Sequence, residues 1–515
     1  MKPANKVILN TGILYAQLII GVVIGLFTTR IVLDALGETN FGIYMLVAGV
    51  VGMLGILNSN MANTSMRYMA HSMGTGDKEI IRKTFNTTLF LHFIIGAIVI
   101  VLMQIGGWLM FEYLLNIPPD KIFDAKVVFH FMVLTTFVTV IFVPYDAVIN
   151  AHENMLALAL VEILGHVLKL GVAIYLTISQ SNLLILYGFF MLLIQVLLRI
   201  IKQRYSKAKY DECKIRFRAY VDKDLLRKIL SFTGWNLFGS IGAMSVTQVR
   251  GVLLNMFFGV SLNAAEGISR AAGDQVNMVP VSMIRALNPQ LFKSEGGGNR
   301  ERMLRITEVG TKFSAFLFAL FAIPILFETS FLLNLWLKNV PDFAVIFFQI
   351  LLANMMLEKL TFQITEAIRA VGRIRAFQVT ETTLMVLSVP VAYFAFKTGF
   401  EPYAIYAIGI IVSSLLFFNR LYFGRRIAGL IITDYLKNAV LPIFIPLLLS
   451  LIVAITFNNI LPEGFLRLAL VTLGFCVSLT VSFWFLGVRG EEKDMLRGVA
   501  TSFLNKVRNI SKTGI

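Results

Sequence analysis

Metal and redox chemistry find little material in this sequence. There are only two cysteines, Cys213 and Cys476, and five histidines with no His-Glu-x-x-His pair. The spacing therefore carries neither a disulfide framework nor a metal site. The glycine run at 296–299 is not followed by Gly-Lys-[Ser/Thr], so it gives no phosphate-binding loop. Proline is limited to 13 residues, and only 15% of the 515 residues are charged. A soluble chain of this length forms several domains and needs far more charge to stay dissolved. No catalytic residue and no cofactor is expected, and the longest connection on the outer side, about 106–125, is too short for a catalytic domain.

What is abundant is apolar. Hydrophobic residues make up 57% of the chain, 43 of them Phe, and the mean hydropathy is +0.76. Runs of roughly 20 apolar residues are the signal for membrane-spanning helices. About fourteen are expected, near 7–29, 41–64, 84–106, 125–149, 156–178, 182–201, 230–257, 262–286, 308–332, 341–364, 375–397, 402–423, 438–457 and 465–487. The first lacks a small-residue cleavage site and reads as a span rather than a signal peptide. Net charge is +16, which in a soluble protein would suggest nucleic acid. Here the cations lie between apolar runs, as in Arg199, Lys202, Arg204 and the residues up to Lys228, and nucleic acid is not an expected partner. They fall in the even-to-odd connections, so the positive-inside rule puts both termini in the cytoplasm and requires an even span count.

The chain also repeats. Ser72–Lys83 (SMGTGDKEIIRK) and Ser294–Arg305 (SEGGGNRERMLR) share Ser-x-Gly-x-Gly-[Asp/Asn]-[Lys/Arg]-Glu without a gap. Arg30, Gly37 and Gly42-Ile43 are echoed by Arg250, Gly259 and Gly267-Ile268, and Asp146–Asn154 more weakly by Glu366–Ile374. The three echoes keep their order, which predicts two parallel six-helix repeats. The expected organisation is a six-helix lobe over 1–205, a basic cytoplasmic linker over 206–229, a second lobe over 230–426, and two appended helices with a basic tail over 427–515.

An ionisable residue at the centre of a membrane helix costs on the order of 3 kcal/mol on insertion scales, so such residues mark interior or functional positions. In Ala264–Asp274 (AAEGISRAAGD), Glu266, Arg270 and Asp274 recur every four residues and share one helix face. Arg250 precedes them at a matching depth, and Arg30 holds the corresponding place in the first half. Guanidinium donates two parallel hydrogen bonds and stays charged, which suits a diffuse anion such as phosphate. Arg30, Arg250, Arg270 and Lys169 are therefore the candidate substrate-binding residues. Glu266, Asp274, Glu162, His166 and Glu381 are candidates for ion coupling or for a charge network that pairs structurally.

Arg30–Tyr44 (RIVLDALGETNFGIY), Gly259–Ile268 (GVSLNAAEGI) and Asn288–Met303 (NPQLFKSEGGGNRERM) resemble bacterial polysaccharide-unit and O-antigen flippases. That family belongs to the superfamily holding the multidrug and toxic-compound extrusion (MATE) antiporters and lipid II flippases. The resemblance implies an all-α integral membrane protein of the bacterial inner membrane, with two MATE-like lobes plus two appended helices. It implies translocation of an undecaprenyl-pyrophosphate-linked oligosaccharide to the outer leaflet by alternating access, driven by H+ or Na+ if by an ion, in contact with polysaccharide assembly enzymes. A lipid II flippase, a multidrug or cation antiporter of the same fold, and a membrane polysaccharide polymerase or ligase are the alternative readings.

Overall fold

The computed structural model describes residues 3–53, 55–113, 118–258, 260–337, 340–490 and 492–493. The basic tail, from 494 on, and Gly259 of the second echo lie outside the described residues. The described chain is helical and divides into two compact units. One comprises 10–237 with 296–298; the other comprises 1–9, 238–295 and 299–515.

In the unit formed mainly by 10–237, the helices are α1 (Pro3–Met53), α2 (Gly55–Thr75), α3 (Lys78–Tyr113), α4 (Ile122–Ala151), α5 (Met155–Ile178), α6 (Leu183–Lys209), the single turn α7 (Phe217–Tyr220) and the start of α8 (Lys223–Phe258). α1 breaks at Gly37, where φ is 71°, a conformation that only glycine adopts without strain. α4 is the hub and packs against α2, α3 and α6. Its Ala125, Val128, Val133 and Val148 are buried.

The other unit contains α9 (Val260–Gly296), α10 (Arg300–Phe327), α11 (Thr329–Trp336), α12 (Ala344–Lys359), α13 (Phe362–Val371), α14 (Arg375–Lys397), α15 (Ala404–Phe423), α16 (Ile432–Tyr435), α17 (Leu441–Ile460) and α18 (Phe465–Ser482). α12 and α13 meet at a bend of 41°. The carbonyl of Leu360, freed by that bend, accepts a hydrogen bond from the Tyr435 hydroxyl at 2.7 Å, so the break leaves no buried orphan there. The α17–α18 hairpin packs on α10 through Ala319, Ala454, Val471, Phe475 and Leu479, all fully buried.

Among the described residues, eleven helices are long and apolar enough to cross a membrane, or twelve if the bent pair counts as one span. The remaining two expected spans correspond to α2, with the end of α1, and to α9. Both fold as helices, of 21 and 37 residues; the apolar stretch of the first is divided between the end of α1 and α2, and the Asn, Arg, Glu and Asp residues of α9 leave it too polar to register by hydropathy alone.

The strongest repeat motif turns out to be capping chemistry. Gly76 and Gly298 occupy equivalent positions and each has φ of 74°. Asp77 Oδ1 then accepts from Glu79 N at 2.8 Å, and Asn299 Oδ1 accepts from Arg302 N at 3.0 Å. A left-handed glycine ends one helix and an Asx side chain starts the next. Glu79 and Glu301 in the first turns complement the helix dipoles.

Candidate functional site

In the unit containing 238–295, α8 and α9 carry the charges singled out from the sequence. Arg270 Nη2 lies 3.4 Å from Glu266 Oε1, one turn away on α9. Glu266 is buried and Arg270 is partly exposed, so the guanidinium is the accessible member of the pair. Glu266 reaches toward α8: a Cβ placed on Gly251 would lie 3.3 Å from its Oε2. The neighbouring Arg250 stands over the Tyr406 ring of α15, 5.0 Å from its centroid. The Tyr406 hydroxyl feels the charges of Arg250, Glu266 and Arg270 together. The structure thus gathers three of the candidate residues around one buried tyrosine that sequence reading did not single out.

Asp274 does not join them. It is exposed and makes no ion pair with Arg270 among the described residues, so the three-residue stripe divides into the Glu266–Arg270 pair and a separate Asp274.

Arg250 also lines a cavity of about 170 Å³ bounded by α8, α12, α14 and α15, into which Glu358, Asn354, Thr247, Ser388 and Ser413 project. That volume holds about five waters. Asn354 Oδ1 is buried with no hydrogen-bond partner, an acceptor available to a donor or a cation. Glu381 is used differently. Its Oε1 accepts from Arg420 Nε at 2.8 Å and lies 2.6 Å from Nη2, with both side chains buried. Arg420 also reaches Thr361 Oγ1 at 3.4 Å, at the α12–α13 bend. This ion pair pins α14 to α15, and nothing in the sequence links two residues on separate helices. Lys359 is buried at the bend with Phe318 and Phe362 rings 5.8 and 5.6 Å from its ammonium.

In the unit formed by 10–237, the candidates Glu162, His166 and Lys169, all on α5, occupy three different environments. Glu162 Oε1 lies 2.8 Å from Lys202 Nζ. Lys202 lies 3.2 Å from Asp146 Oδ1, whose other oxygen pairs with Arg199. The result is a four-member chain of alternating charge across α4, α5 and α6. The sequence pattern places Arg199 and Lys202 among the charges at the end of the sixth apolar run and beyond it. They are helical residues held in ion pairs, because α6 continues to Lys209, well past the apolar run. His166 packs on α1 at Gly21, where an added Cβ would come 2.8 Å from Nε2. Lys169 is partly exposed and forms no ion pair or hydrogen bond among the described residues, though its charge reaches Glu162. Arg30 is exposed on α1 and likewise has no ion-pair partner among the described residues.

No family model matches the sequence, and no curated protein matches it. Solved structures do. A multidrug resistance MATE family transporter of the MOP superfamily, in its outward-facing conformation, superposes with a TM-score of 0.71 at 14% identity, covering 83% of this chain and 98% of that one. A MATE structure in the bent conformation gives a TM-score of 0.72 at 13% identity, with 84% and 98% covered. This chain has the MATE transporter fold. A MOP superfamily transporter from Pyrococcus furiosus, described as having a binding pocket of reverse polarity, matches equally well, with a TM-score of 0.71 at 14% identity, 83% and 96% covered.

Proposed function

We propose that this protein is a flippase that moves an undecaprenyl-pyrophosphate-linked oligosaccharide from the cytoplasmic to the outer leaflet of the bacterial inner membrane by alternating access. The observation that carries this reading is the pairing of Arg250 and Arg270 around Tyr406 with one adjacent carboxylate, Glu266. Two guanidiniums held in a membrane-embedded cluster are costly unless an anion or a carboxylate meets them, and their planar donors suit a pyrophosphate. Glu266 orients Arg270, and Arg250 is held by the tyrosine ring, so both heads are preorganised. Arg30 and Lys169, which have no ion pair among the described residues, are further candidates for the anionic cargo.

A second reading, a cation-coupled multidrug antiporter, draws support from Glu358 and the unpartnered Asn354 oxygen in the cavity beside Arg250. In the flippase reading the same groups take H+ or Na+ to drive the cycle. Polysaccharide assembly enzymes are the protein partners this activity calls for.

The test is reconstitution in liposomes containing a fluorescent undecaprenyl-pyrophosphate oligosaccharide. Wild type is expected to deliver the lipid to the opposite leaflet, and folded Arg250→Gln and Arg270→Gln proteins to lose most of that activity. Equal delivery by all three would make the arginines structural. Failure of wild type under every ion gradient, with efflux of a cationic dye instead, would favour the antiporter.

A further inference from the structure

The segment between α6 and α8 is not a loose tether. Asn86 and Thr87 of α3, both fully buried, hold it by its backbone. Asn86 Oδ1 accepts from Arg216 N at 2.8 Å, and its Nδ2 donates to Lys214 O at 3.2 Å. Thr87 Oγ1 accepts from Asp222 N at 3.0 Å and lies 3.4 Å from Tyr220 O. Four backbone contacts to two adjacent side chains fix residues 214–222 against one flank of α3.

That flank leads to the lipid-facing wall. Phe90, Ile94, Ile98 and Leu102 recur every four residues on α3 and are all exposed, the stripe expected of a helix side that meets acyl chains. Phe217, on α7, packs against the start of this stripe, with ring centroids 5.9 Å from Phe90 and 6.2 Å from Phe93. The segment therefore sits where the apolar wall begins, at the level of the headgroups.

The side chains that it presents there are cationic. Arg216 and Arg218 flank Phe217, and Lys223, Arg227 and Lys228 follow on the first turns of α8; all five are exposed. None of them pairs with a carboxylate among the described residues. The nearby acids are largely committed. Asp211 pairs with Lys214 at 2.8 Å, and Asp222 caps α8 by accepting from Leu225 N at 2.9 Å. Asp224 alone is exposed without a partner among the described residues.

We infer that residues 214–228 form an interfacial anchor that binds anionic phospholipid headgroups. Phe217 sets its depth, Asn86 and Thr87 hold it flat on α3, and the five cations read the charge of the leaflet. A mobile basic loop would neutralise lipid charge without fixed geometry; this one offers guanidiniums at set positions beside the acyl-chain boundary. The inference does not depend on the cargo proposed above.

The experiment is native mass spectrometry of the full-length detergent-purified protein with phosphatidylglycerol or phosphatidylcholine at equal concentration. Wild type should retain phosphatidylglycerol in preference. Each basic side chain near a charged leaflet is worth about fivefold in affinity, so R216Q/R218Q should weaken that retention on the order of 20-fold. K223Q/R227Q/K228Q, which leaves the Asn86–Thr87 contacts untouched, should act in the same direction. K397Q, which removes an exposed cation at the end of α14, should have no effect. Unchanged retention in either multiple variant, or an equal loss in K397Q, would overturn the inference.

Discussion

Two ion pairs join the α17–α18 region to α10 and to Glu328, which caps it, and breaking the fully buried one should have a large, diagnosable effect. At one end Lys312, 1% exposed, lies 2.8 and 2.5 Å from the two oxygens of Glu492 and 3.1 Å from Gly487 O. At the other, Arg467 lies 2.9 and 3.0 Å from the two oxygens of Glu328, whose side chain is fully buried. Glu492→Gln leaves the Lys312 ammonium buried with a carbonyl and an amide for company. Losing one partner of a buried pair costs about 3–5 kcal/mol, because the remaining charge is desolvated without compensation. Removing both charges together, as in K312M/E492L, avoids that penalty and should return stability to within about 1 kcal/mol of wild type or above it. Thermal unfolding of the detergent-purified protein, followed by Trp fluorescence, measures both. A Glu492→Gln protein that unfolds with wild type, or a double variant as unstable as the single one, would refute a desolvation penalty at Lys312. A stable double variant would also show that the pair serves to fix the hairpin rather than to strengthen it.

Gly21→Ala should destabilise the protein by about 1–3 kcal/mol, the usual cost of overpacking, since the new Cβ would come 2.8 Å from His166 Nε2; a second substitution, His166→Ala, should recover most of it in the same unfolding assay. Glu381→Gln should cost about 3–5 kcal/mol by stranding the buried Arg420, whereas loss of ion coupling without loss of stability would place Glu381 in the transport cycle. In the connection after α6, burial works to raise the Glu212 carboxyl, but the hydrogen bond and charge of His152, 2.6 Å away, outweigh it and hold the group below its ordinary value. A depressed carboxylate contributes stability above its unfolded value and loses it as pH falls through the folded one. The melting temperature of wild type should therefore drop on acidification below the ordinary carboxylate range, and that of Glu212→Gln should drop less. Burial pushes the adjacent Cys213 thiol up, so a water-soluble maleimide should label it in the denatured protein and hardly at all in the folded one.

The sequence by itself determined that this is a helical membrane protein, because twenty-residue apolar runs separated by basic connections have no soluble solution. It also determined the repeat, since the Gly76–Asp77 and Gly298–Asn299 caps are local chemistry: a left-handed residue and an Asx side chain act within one turn and leave a fixed spelling. The Glu266–Arg270 pair was legible for the same reason, being one helical turn apart. What lies between helices was not. Tyr406 beneath Arg250, Arg420 on Glu381, Lys202 between Asp146 and Glu162, and Glu492 on Lys312 join residues 39 to 180 positions apart, and no periodicity relates such distant positions. Packing alone brings them together, because a charge inside an apolar bundle must find its partner wherever the fold supplies one. The same principle separated Asp274 from Arg270: spacing made both its neighbours available, and the tertiary environment buried Glu266 and left Asp274 at the surface.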